Sequence, residues 1–237
     1  MTAAFAPQVF GWLVGVPLEF LLVAALLRGE YRRFPVFFAY ASALLVTTLV
    51  GIPAFLNYAS HPKIHLISQH FAKIYWITEG ILQALILAVV ISLIDQATTT
   101  VRSRRLVRAG LIIGAVLFAG ISFACHYRPA LKYIGYWMAP WTRDLSFGSA
   151  ILDLGLWTML ISSRRGDRRL LLISGALGMQ FTGEAIGEAL QSLSIARKVG
   201  SIAVAGSIIT MLAGLACLYV CWRTFRPHPV VQHPPQN

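Results

Sequence analysis

Apolar residues run through this chain in seven long blocks, separated by short polar turns. A helix that crosses a bilayer needs about 20 mostly apolar residues. Seven segments reach that length: Gln8 to Leu27, Phe34 to Leu56, Phe71 to Ile94, Val107 to Cys125, Arg143 to Ile161, Leu170 to Leu193, and Gly200 to Trp222. The pattern predicts an all-α polytopic integral membrane protein, a seven-transmembrane-helix bundle forming a single domain over residues 1–226. Helices are the form lipid demands, because it offers the backbone no hydrogen-bond partners. Pro17 and Pro53 lie inside spans and predict kinks. Residues 227–237, with Pro227, Pro229, Pro234 and Pro235, cannot continue the last helix and are expected to form a disordered tail.

The connections between spans carry unequal charge. One set holds Arg28, Arg32 and Arg33, then Arg102, Arg104, Arg105 and Arg108. It goes on with Arg164, Arg165, Arg168 and Arg169, and ends with Arg223 and Arg226. The opposite set holds only Lys63, Lys73, Arg128, Lys132, Arg143, Arg197 and Lys198. Basic loops stay in the cytoplasm. The expected orientation therefore has the N-terminus outside and the C-terminus cytoplasmic, in a bacterial cytoplasmic (inner) membrane. Two outer connections are long, Asn57 to His70 and His126 to Thr142. The second is rich in aromatics (Tyr127, Tyr133, Tyr136, Trp137 and Trp141) and reads as a segment lying at the membrane interface.

Composition narrows the function classes. Charged residues make up 12% of the chain, against about 25% in soluble domains, and 57% is hydrophobic. One water-soluble core has no room for that excess. A net charge of +11 would suit nucleic acid, but the basic residues sit in short clusters between apolar runs and form no single face. Nucleic acid is therefore not an expected partner, whereas the lipid bilayer is. Cys125, Cys217 and Cys221 give no disulfide framework or zinc spacing. His61 and His65 flank Pro62 in an outer loop, a weak frame for a metal. The last span lacks the lysine a retinal Schiff base requires. No phosphate-binding loop or nucleophile elbow occurs. No catalytic set, metal site or cofactor is expected.

Five of the nine acidic residues break the apolar pattern: Glu19, Glu79, Asp153, Glu184 and Glu188. A carboxylate at mid-bilayer costs about 2.5 to 3.5 kcal/mol even on the lenient insertion scale. No lysine or arginine lies mid-span to neutralise one. At about 1.5 Å per residue, all five are expected between the midplane and the outer surface. Gln180, Glu184, Glu188 and Gln191 recur at helical spacing and form one stripe on the sixth span. Trp76, Glu79 and Gln83 share a face of the third. Thr142, Ser146, Ser149, Asp153 and Trp157 do so on the fifth. The third, fifth and sixth helices are expected to face one another, with the first nearby, around a wet recess. Gly183 and Gly187 form a small-xxx-small pair that admits a close neighbour. Glu184 and Glu188 repel one another when both are charged, so the pair predicts a bound proton or cation.

These residues define the expected site: Glu19, Trp76, Glu79, Gln83, Asp153, Gln180, Glu184 and Glu188. The function expected first is a seven-helix sensor or binding protein, not an enzyme, whose outward pocket takes a small cationic or polar ligand. Few residues follow the last span, so a signal would need a cytoplasmic or membrane partner. The second reading is a small proton- or cation-coupled transporter, and the third an intramembrane enzyme using paired acids.

Overall fold

The computed structural model describes residues 2–60, 65–98, 104–127, 134–162, 167–197 and 199–226. The expected tail, and with it His61, lies outside them. The described residues form seven long helices and no strand: α1 (Thr2–Leu27), α2 (Pro35–Ser60), α3 (His65–Ala97), α4 (Arg104–His126), α5 (Gly135–Ser162), α6 (Arg168–Arg197) and α7 (Gly200–Phe225). Each contains a segment long and apolar enough to cross a membrane. The chain is a multi-pass, all-α membrane protein. Pro17 and Pro53 leave α1 and α2 as single elements.

Six helices close a ring. α1 packs on α2 and α7, α2 on α3, α3 on α5, α5 on α6, and α6 on α7. α4 stands outside this ring against α3 and α5. Gly29, at φ 132°, turns the chain out of α1 in a conformation that L side chains rarely adopt. A 3-10 turn, Glu30–Arg32, then leads into α2.

Two helices reach further than the hydropathy blocks. α3 starts at His65 and α5 at Gly135, so much of the two long connections expected to lie outside is helix. On α5 the buried positions Met138, Thr142, Leu145, Ser149, Asp153, Leu156 and Leu160 form one continuous stripe. That period of three and four runs through the segment expected to lie as a loop. Its Trp137 and Trp141 stack edge-on against Phe123 of α4, with centroids 5.5 and 5.4 Å away. The aromatic surface is therefore spent joining α4 to α5.

The closest helix contact follows the small residues. A Cβ on Gly183 would collide with Ala213, and one on Gly187 with Thr210 of α7. A Cβ on Gly206 would lie 2.7 Å from the Gly187 carbonyl oxygen. Only residues without side chains let α6 and α7 approach this far.

Packing is uneven along the bundle. The main core gathers Leu22 and Leu26, Phe34 and Phe37, Val90 and Leu93, Leu156 and Leu160, Leu170 and Ile173, and Cys221 and Phe225. All lie toward the arginine-rich end. Two ion pairs fasten that end. Arg33 meets Asp167 at 2.7 Å and Arg169 meets Glu30 at 2.6 Å, joining the α1–α2 turn to the start of α6. Gln96 of α3 adds a hydrogen bond to the Arg33 carbonyl at 3.2 Å.

Candidate functional site

The opposite end of the ring is hollow. A cavity of about 580 Å³ lies between α1, α2, α6 and α7, with Tyr75 of α3 at its edge. Its volume is within the range of small-ligand sites. Leu22, Phe37, Tyr40, Leu177, Cys217 and Cys221 form its deep end, where it meets the packed core. Trp12 and Gln191 lie on its wall toward the arginine-poor end.

Glu19 is the charged residue lining this cavity. Its side chain is 6% exposed. Thr48 of α2 donates a hydrogen bond to Oε1 at 3.1 Å. The other carboxyl oxygen, Oε2, is buried and has no partner among the described residues. Among the described residues only one other buried side-chain atom is similarly orphaned, Gln83 Oε1. Both are acceptors, so the groups that would satisfy them are donors.

Gln180 also lines the cavity and leads out of it. Its Nε2 donates to Glu184 Oε1 at 2.9 Å. Ser146 of α5 reaches Glu184 Oε2 at 3.4 Å. Beyond lies a small recess between α5 and α6, lined by Glu184, Glu188, Ser146 and Arg143. On α3, Gln83 Nε2 donates to Glu79 Oε1 at 3.0 Å. Tyr75, at the cavity edge, stands within electrostatic reach of Glu79, Glu184 and Glu188.

The expected site is thus divided. Glu19 and Gln180 line the cavity, and Glu184 touches it through Gln180. Glu79, Gln83 and Glu188 gather beside it. Asp153 does not join them. It is 3% exposed and accepts a hydrogen bond from Ser174 of α6 at 2.8 Å. Ser174 lies only six residues into α6, so Asp153 sits about 10 Å nearer the arginine-rich end than the Ser146–Glu184 contact. The expectation that all five acids share the outer half fails here. The hydropathy block began at Arg143, whereas the helix begins eight residues earlier and carries Asp153 deeper.

Four further expectations need correction. Glu188 is exposed on the surface of the bundle, facing Arg143 across the recess. Trp76 packs on Gly135 and on Tyr75, at 5.2 Å between ring centroids, and does not line the cavity. α1 lies across the ring from α3 and α5, with α2 and α7 as its neighbours. The recess expected among α3, α5 and α6 is small, and the large cavity lies among α1, α2, α6 and α7.

Sequence reasoning missed Thr48, Tyr40 and Tyr75. Tyr40 is 6% exposed and lies beside Gln180. Its spacing of four from Val36 and Leu44 reads as ordinary apolar periodicity. It also missed Asp144, which accepts a hydrogen bond from Ser122 at 2.7 Å and lies 3.6 Å from His126. This group ties α4 to α5 beside the aromatic cluster. Among the described residues no three His, Cys, Asp or Glu side chains converge as a metal site.

The fold defines the class, a multi-pass seven-helix membrane protein. No protein-family model, curated protein or solved structure matches the chain.

Proposed function

We propose that this protein binds a small organic cation from the side of the membrane that its arginines avoid, and acts as a sensor or ligand-binding protein. The observation that carries this reading is Glu19: a buried carboxylate on a cavity wall with one oxygen left unpaired. An ammonium supplies both the missing donors and the countercharge. Trp12, Phe37, Tyr40 and Tyr75 give the cavity aromatic faces that favour cations and apolar bodies alike. The asymmetry of arginines supports an external N-terminus, which makes the cavity outward-facing. Relaying occupancy to a cytoplasmic partner would fall to the arginine-rich turns.

The test is thermal unfolding of the purified protein in detergent with a panel of aromatic and alkyl amines, each beside its neutral isostere. The amines are expected to raise Tm, the isosteres to leave it unchanged, and Glu19→Gln to abolish the shift. Equal effects of amine and isostere, or full retention in Glu19→Gln, would sink the reading.

A second reading, a small cation- or proton-coupled transporter, has its own observation. The Gln180–Glu184–Ser146 connection runs from the cavity to the recess on the far side of α6. Carboxyl groups joined in this way are what coupling uses. Vesicles carrying the protein would show cation- or proton-dependent flux, lost in Glu184→Gln. Absence of flux alongside an amine-dependent Tm shift favours the binding protein.

A further inference from the structure

A second cavity, separate from the first, lies where α4 rests against the ring. It holds about 380 Å³ between α3 and α4. Its walls are Leu87, Ala88 and Ile91 on α3, and Ile112 and Val116 on α4, with Trp141 of α5 at one end. At the other end stand Asp95 and Arg108. From Arg108 to Ala119, the lining residues of α4 span about 16 Å along its axis. Half the hydrocarbon thickness of a bilayer is about 15 Å. The groove is as long as one leaflet is deep, and it is apolar except at its arginine end.

That end is positively charged in an unusual way. Arg105 lies in the first turn of α4, which contains no acidic residue. Cations there oppose the positive end of the helix dipole, which an anion would offset. Arg105 is exposed. The Arg108 side chain is 61% exposed and approaches Asp95 only to 3.9 Å, so among the described residues most of its donors remain for another acceptor. Phosphate is the acceptor whose geometry suits a guanidinium fork.

We infer that the α3–α4 groove is a binding site for an anionic phospholipid of the arginine-side leaflet. One acyl chain lies along Ala88 and Val116 toward Trp141, and the headgroup phosphate meets Arg105 and Arg108. The lipid fills the space between α3 and α4 that the aromatic contact of α4 with α5 leaves open.

The experiment uses the full chain in mixed micelles with phosphatidylglycerol or phosphatidylcholine brominated on the acyl chain. Quenching is read from the Trp141 component, the difference between wild type and Trp141→Phe. Phosphatidylglycerol is expected to half-quench this component at roughly one-thirtieth the mole fraction that phosphatidylcholine needs, the scale that two arginines near an anionic lipid provide. Arg105→Gln/Arg108→Gln, both at exposed positions, should erase that advantage. Equal quenching by the two lipids, or an advantage that survives the double substitution, overturns the assignment. Native mass spectrometry gives a second readout that does not depend on Trp141→Phe folding. Wild type should carry phosphatidylglycerol through delipidation and the double variant should lose it. Equal retention by the two proteins counts against the site.

Discussion

Replacing Gly206 by alanine tests the α6–α7 contact on which the cavity wall depends. The new Cβ would lie 2.7 Å from the Gly187 carbonyl oxygen, 3.2 Å from Leu190 Cβ and 3.4 Å from Gln191 Cγ. The first distance is too short for any carbon–oxygen contact, and its partner is backbone, which cannot rotate away. α7 must therefore move off α6 by several tenths of an ångström. Overpacking of this kind costs about 1 to 3 kcal/mol. The same change at Gly214, also on α7, meets nothing within 4 Å. There alanine brings only its helix-propensity advantage, up to about 1 kcal/mol. That advantage is common to both sites, so the difference between the variants isolates packing. Gly206→Ala should be less stable than Gly214→Ala by about 1 to 3 kcal/mol, measured by reversible unfolding in mixed micelles. Ala203, Val204, Ser207 and Thr210 of α7 line the cavity, so Gly206→Ala should also weaken amine binding. Equal stability of the two variants would refute the close approach of α6 and α7 and the cavity shape derived from it.

Asp153→Asn keeps an acceptor for Ser174 and should change stability by less than about 1 kcal/mol, since hydrogen bonds between spans average about 0.6 kcal/mol. It should leave the amine-induced Tm shift intact; loss of that shift would return Asp153 to the ligand site. Among the cysteines, Cys125 is exposed near the arginine-poor end of α4, whereas Cys217 and Cys221 are buried. In intact cells a membrane-impermeant maleimide should therefore label only Cys125. Protection of Cys125 until the cells are opened would reverse the proposed orientation.

The seven spans were legible because each buries or exposes a block too apolar for water. A close approach to α6 was legible too, as Gly183 and Gly187 one turn apart admit a close neighbour, but that the neighbour is α7 was not. The depth of Asp153 was not. Hydropathy marks where a helix becomes greasy, and Gly135 to Thr142 is helix with polar and aromatic side chains. The buried stripe from Met138 to Leu160 held the missing information. Polarity indicated α3, α5 and α6 as cavity walls, but hollow space depends on what is small or absent. α7 contributes the longest wall with Ala203, Ser207, Thr210 and Gly214, none of which stands out in a membrane span. Glu19 was singled out for its cost at mid-depth, but its partner Thr48 comes from a helix whose neighbours only the tertiary structure reveals.

The crossed pairs Arg33–Asp167 and Arg169–Glu30 close one rim of the barrel of helices, whereas at the other end His126 and Asp144 join α5 to the outlying α4. Parting that base would break the whole core at once, because the buried residues pack against it. The cavity therefore stands over a stem that keeps its shape.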